Sequence, residues 1–209
     1  MKAKKEDLIV MLKEAGALLI ITLVAGLLLG FVYQLTKDPI AKQQEIAVQK
    51  ACKNVMPDAD HFTEKEYTLS EDLLADCISK GIVIGTVYEA KAADDSTIGY
   101  VIQSTSSEGY GGDIVLYLGT YMEDNAVVLK GVSILSISET AGLGMRAEEV
   151  LVPQFADKKV SSFIFTKTGA TSDDEIDAIS GATITTKAVT NAVNEGLKAT
   201  VEFAKEEGM

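Results

Sequence analysis

The chain has 209 residues, with 31 acidic against 19 basic side chains and a formal net charge of −12. That length suits one ordinary domain plus an extra segment, and the acidity argues against nucleic acid as a partner, because no basic patch is available to neutralise phosphates. Two cysteines, Cys52 and Cys77, and one histidine, His61, are too few for a zinc or iron–sulfur centre, so no metal site is expected.

Ala15 to Tyr33 is a run of 19 residues without a charge. As a helix it is about 28 Å long, close to the hydrocarbon thickness of a bilayer. A cleaved signal peptide has a shorter apolar core and a small-x-small site, and none follows Tyr33. A buried core helix is seldom apolar all round over this length. The run 15–33 therefore reads as a transmembrane helix. Lys2, Lys4, Lys5 and Lys13 precede it, against Lys37 and Lys42 just after it. The positive-inside rule puts residues 1–14 in the cytoplasm and the chain beyond residue 34 outside, as a single-pass protein of the cell (inner) membrane. Gly26 and Gly30 allow close approach of a second helix, although glycine is also simply common in membrane helices.

Residues 1–33 hold 4 bases and 3 acids, which leaves 15 bases, 28 acids and a net charge of −13 beyond them. Asp38-Pro39 signals a break. Ile40 to Val55 then reads as a helix that ends before Pro57, making 34–56 a linker helix and 57–209 the main domain. Asp58 to Thr68 is polar and is expected as loop or short edge structure, with His61 on its surface. Ile82–Ala90 and Gly99–Thr105 are rich in β-branched and aromatic residues, and Asp94-Asp95-Ser96 between them predicts a hairpin. Ile114–Tyr121 and Val127–Ile137 follow, joined by a turn near Glu123-Asp124-Asn125. Glu148–Phe155 reads as a short helix and Val160–Phe165 as a strand or extended segment. Val189, Val193, Leu197 and Val201 mark the buried stripe of a last helix, Ile184–Lys205. The fold class is α+β: a twisted antiparallel sheet flanked by helices. Cys52 and Cys77 either pair, in an oxidising compartment, or remain buried thiols.

Three loops carry the chemistry. Gly109-Tyr110-Gly111-Gly112 permits positive φ and close ligand approach, though composition alone favours a flexible turn. Ser138-Glu139-Thr140-Ala141-Gly142-Leu143-Gly144-Met145 lies between a strand and a helix, and its Gly-x-Gly lacks the third glycine of a dinucleotide fingerprint. The third loop, Asp177-Ala178-Ile179-Ser180-Gly181-Ala182-Thr183-Ile184-Thr185-Thr186, opens the last helix. A helix N-terminus favours phosphate. On residues alone, Thr183 or Thr185 acting as an N-cap is the simpler reading, with Asp177 a local turn former.

Taken together and in this order, behind one transmembrane helix, Gly109-Tyr110-x-Gly112-x-Ile114, Glu139-Thr140-x-Gly142-Leu143-Gly144 and Asp177-x-x-Ser180-Gly181-Ala182-Thr183 resemble the FMN-binding domain of the G subunit of the Rnf electron-transport complex. The C subunit of sodium-pumping NADH:quinone oxidoreductase shares this domain. Ala141 departs from the proline usual there. The resemblance implies FMN joined to Thr183 through a phosphoester by a flavin transferase, with Asp177 part of the attachment signal. It implies phosphate or ribityl contacts from Ser180 and Thr185 beside Gly181 and Ala182. It also implies a flavin lined by Glu139, Thr140, Gly142 and Leu143 on one side and by Tyr110, Gly111 and Gly112 on the other. The function implied is electron relay within a membrane-bound, ion-translocating ferredoxin:NAD oxidoreductase complex, with other Rnf subunits as partners and no complete catalytic site in this chain alone. The alternative is a membrane-anchored extracytoplasmic FMN protein outside Rnf.

Overall fold

The computed structural model describes residues 2–206, with side chains from 9 to 205. Met1 and residues 207–209 lie outside the described residues, as do the side chains of Lys2, Lys4 and Lys5 on which the orientation rests. The chain divides into two compact units, 1–46 and 47–209.

The first unit belongs to one helix, α1 (Lys2–Val55). It is long and apolar enough to cross a membrane, and its described side chains are exposed along the first unit. The break expected at Asp38-Pro39 is absent, for Pro39 lies inside the helix. A proline there removes one backbone hydrogen bond and costs about 3 kcal/mol. The uninterrupted bonding on both sides of a 54-residue helix outweighs that local loss.

The second unit is built on a five-stranded antiparallel sheet. Its order is β1 (His61–Lys65), β2 (Ile82–Lys91), β3 (Thr97–Ser106), β4 (Ile114–Glu123) and β5 (Ala126–Ser136). Strand alternation sends side chains to two faces. Tyr100, Ile102, Leu116 and Leu118 enter one core, and Val101 and Tyr117 enter the other. The β4–β5 turn places Asp124 and Asn125 at φ 52° and 60°, a conformation these two residue types tolerate. β1 is the short edge piece, which makes five strands rather than four.

The first core is covered by α4 (Thr183–Glu206), whose Val189, Val193 and Leu197 are fully buried. The second is covered by the last turns of α1 through Ala51, Cys52 and Val55. Gly119 permits that approach, since a Cβ there would lie 2.2 Å from the Val55 carbonyl oxygen. Helix α2 (Glu71–Ser79) was not expected: it is only nine residues long, and only Leu73 and Cys77 are buried. Its sequence signal is Ser70, which caps it by accepting from the Leu73 N–H at 3.2 Å, followed by acidic Glu71 and Asp72. The segment after β5 forms short helical turns around α3 (Ala147–Val150). β6 (Ile164–Thr166) then pairs in parallel with β7 (Glu175–Asp177). Cys52 and Cys77 are free thiols in opposite cores, and burial pushes Cys77 up to about 11.

Candidate cofactor-binding site

Strand register brings the first two loops together. Ser106 pairs with Ile114 and Val115 with Ser136, so the β3–β4 loop and the loop after β5 leave the same end of the sheet. With the start of α4 they enclose a cleft of about 530 Å³, within the range of roughly 300–1,000 Å³ used by small-molecule sites. Tyr110 comes from the first loop. Glu139, Thr140, Leu143 and Gly144 come from the second, and Gly181 to Thr185 from the third.

Glu139 ties the first two loops. Its Oε1 accepts from the Tyr110 N–H at 2.8 Å and the Gly111 N–H at 3.4 Å. Gly144 lets the second loop pass close to α4, because a Cβ there would sit 2.6 Å from Thr185 Oγ1 and 2.9 Å from Glu139 Oε2. Gly111, Gly112 and Gly142 shape the loops without lining the cleft. Tyr110, Leu143 and Ile184 are large apolar side chains left 72%, 40% and 52% exposed at its walls.

Gly181, at φ +80°, turns the chain into α4 in a conformation glycine adopts without strain. The helix begins at Thr183, so the cap position falls on Ala182, which has no side-chain acceptor. Neither Thr183 nor Thr185 is the N-cap. The Thr186 N–H starts the helical ladder by donating to the Ala182 carbonyl at 3.0 Å. The N–H groups of Thr183, Ile184 and Thr185 find no acceptor among the described residues. An anion placed there meets three donors and the positive end of the helix dipole.

The three hydroxyls of this turn are not equivalent. Thr183 is partly exposed in the cleft. Thr185 is 1% exposed and lines it, and its hydroxyl has no hydrogen-bond partner among the described residues. Thr186 is fully buried; its Oγ accepts from the Ile179 N–H at 3.1 Å and donates to the Ala182 carbonyl at 2.9 Å.

Asp177 and Ser180 lie outside the lining. Asp177 ends β7, and its carboxylate accepts from the Ala170 N–H at 2.7 Å. Its backbone is clamped by Gln154, whose Oε1 accepts from the Asp177 N–H at 2.6 Å and whose Nε2 donates to the Asp177 carbonyl at 3.2 Å. Ser180 is exposed. Gln154 and Thr186 are the structural supports that sequence reasoning missed. Thr186 had a signal, since it sits on the buried stripe with Thr190 and Val193. Gln154 had none, because its partner lies 23 residues away.

FMN needs an anion site, polar contacts for a ribityl chain and apolar walls for a flat ring. The free amides of α4, the Thr183 and Thr185 hydroxyls, and the Tyr110–Leu143–Ile184 surface supply these in turn. No lysine or arginine lines the cleft among the described residues, so an anion placed there would meet backbone donors.

The chain is similar to known proteins over most of its length. Residues 109–198 match a family model described as the FMN-binding domain, an interval that holds all three loops. Residues 1–55 match one described as the RnfG N-terminal region. The G subunit of the Na⁺-translocating ferredoxin:NAD⁺ oxidoreductase complex of Acetobacterium woodii is 28% identical over 94% of this chain and 94% of its own. The proton-translocating counterpart of Clostridium ljungdahlii is 30% identical over 86% of each chain. The G subunit of the ion-translocating oxidoreductase complex of Escherichia coli is 33% identical over 77% of this chain and 76% of its own. The crystal structure of Shewanella oneidensis NqrC superposes with a TM-score of 0.52 at 14% identity, covering 79% of this chain and 99% of that one. At that identity the likeness shows the α+β fold alone.

Proposed function

The chain belongs to the family of G subunits of ion-translocating oxidoreductase complexes, and we propose that it is the membrane-anchored, FMN-carrying electron-relay subunit of such a complex, of the ferredoxin:NAD⁺ type. The observation that carries the reading is the opening of α4, where three free amides surround one accessible threonine hydroxyl inside the matched FMN-binding interval. Bound there, FMN supplies one-electron exchange with cofactors of neighbouring subunits.

The chain's own residues bind, tether and shield. The amides of Thr183, Ile184 and Thr185 receive the phosphate, and Thr183 is the attachment point. In attachment the Thr183 Oγ–H bond breaks and an Oγ–P bond forms. A flavin transferase provides FMN on an activated phosphoanhydride donor, whose leaving phosphate departs while the proton goes to solvent. Ser180, Gly181 and Ala182 keep the approach slim, and Asp177, with its carboxylate outside the cleft, serves recognition during attachment rather than redox chemistry. Thr185 contacts the ribityl chain or phosphate. Tyr110 and Leu143 flank the ring, with Thr140, Gly142, Gly111 and Gly112 completing the loops that Glu139 holds together. α1 crosses the membrane once with its N-terminus in the cytoplasm, which puts the flavin outside. There a covalent bond removes the equilibrium by which a free cofactor is lost to a dilute medium.

Intact mass of the full chain, produced with a flavin transferase, tests this directly. The mass rises by one FMN less one water, and Thr183→Ala abolishes the gain. A gain that survives Thr183→Ala but disappears in Thr185→Ala would place the bond elsewhere.

A further inference from the structure

A phosphoester at Thr183 brings a negative charge to a cleft that has no lining cation among the described residues. Two cations occur in the segments that build the cleft. Arg146, just before α3, pairs with Glu149 of α3 at 3.5 Å. Lys187 stands on α4, four residues after Thr183, which puts the two on one helix face. Side chains on a helix lean toward its N-terminus, so a long chain at 187 covers the turn that starts at Thr183. Its Nζ lies 3.0 Å from Glu108 Oε2, next to the glycine loop that brings Tyr110 to the cleft. The ammonium is therefore held at Glu108, at the base of the glycine loop, by a residue on the helix face that also carries Thr183. The side chains of Lys187 and Glu108 are 56% and 38% exposed, and an exposed pair of this kind contributes little and exchanges readily.

We propose that Lys187 is an exchangeable counter-ion for the flavin: it pairs with Glu108 before attachment and with the phosphodiester on Thr183 afterwards. The inference rests on FMN being attached at Thr183. It makes Lys187 a positioning residue. The helix amides bind the phosphate along the axis, Lys187 neutralises it from the side, and Glu108 is released to solvent. One tie on the glycine loop is lost on loading, while the tie from Glu139 stays.

Phosphorus NMR of the flavinylated full chain in detergent separates this from a merely structural role. Lys187→Gln and Glu108→Gln break the same ion pair, so a purely structural Lys187 moves the phosphodiester resonance equally in both, or in neither. The counter-ion role predicts a resolved displacement in Lys187→Gln, a wild-type position in Glu108→Gln, and near-recovery in Lys187→Arg. Equal displacement in the two glutamine variants, or none in Lys187→Gln, overturns it. Intact mass on the same samples reports attachment. A wild-type chain that gains no FMN overturns the attachment reading and this inference with it, whereas a normal mass gain with a silent Lys187→Gln overturns this inference alone.

Discussion

Thr183, Thr185 and Thr186 share one turn of α4, yet their surroundings separate them: the first is open to the cleft, the second is nearly closed off, and the third is fully buried. Thr186 holds the attachment segment by satisfying the Ile179 N–H and the Ala182 carbonyl. Thr186→Ala leaves that buried donor without an acceptor, an expected loss of about 1–3 kcal/mol, read as a lower denaturant midpoint. FMN still attaches at Thr183 in the folded fraction. A variant of unchanged stability would show that Ile179 finds another acceptor and that Thr186 is not the support. The motif singled out Thr183 through its resemblance alone; the residues by themselves did not rank the hydroxyls, because rank depends on which face of α4 meets the sheet. Nor did it reveal that Ala182 takes the cap position, which leaves the amides free. The placement of Asp177 was equally hidden, since its partners Ala170 and Gln154 belong to no motif.

Between elements, the strands β2 to β5 were legible because one alternating pattern serves two buried faces, and α4 because its apolar stripe repeats every turn. Helix α2 was not, because it is short, buries only Leu73 and Cys77, and is otherwise held by ion pairs. Glu195 of α4 has a fully buried side chain, 2.7 Å from Lys80 and 3.0 Å from Lys198, and both lysines also bond Asp76. The Lys80–Glu195 and Lys198–Asp76 pairings join residues more than a hundred positions apart and leave no local trace. Hydrogen bonds from Lys198 and then Lys80 hold the Asp76 carboxyl down at about 2, against an ordinary value of 3.8. A carboxyl lowered in the folded state stabilises fully above its unfolded value and loses that contribution as pH falls toward the folded one. Asp76→Asn therefore lowers the unfolding temperature at pH 6, and the gap from wild type closes between about pH 4 and pH 2. Partial exposure of Asp76 keeps the effect modest. Thermal unfolding at stepped pH checks it: a gap that stays constant down to pH 2 would assign the loss to packing instead.

At the scale of the whole molecule, the flavin's surroundings depend on which side of the membrane residues 34–209 occupy. Their net charge of −13 does not decide this, because acidic residues weigh little in membrane topology, and lysines near the ends of the span weigh most. Lys2, Lys4, Lys5 and Lys13 outnumber Lys37 and Lys42, which favours a cytoplasmic N-terminus. Alkaline phosphatase fused after the C-terminus of the full chain is then active, and a cytoplasm-dependent fluorescent protein at the same place stays dark. Replacing the four N-terminal lysines with glutamine leaves Lys37 and Lys42 as the lysines flanking the span and reverses the bias, so the phosphatase signal is expected to fall and the fluorescent signal to rise. A dark phosphatase and a bright fluorescent fusion in the wild-type chain would put the cleft in the cytoplasm. The flavin would then face a medium stocked with free cofactor, and the loss-prevention argument for a covalent bond at Thr183 would fail even if the bond itself were present.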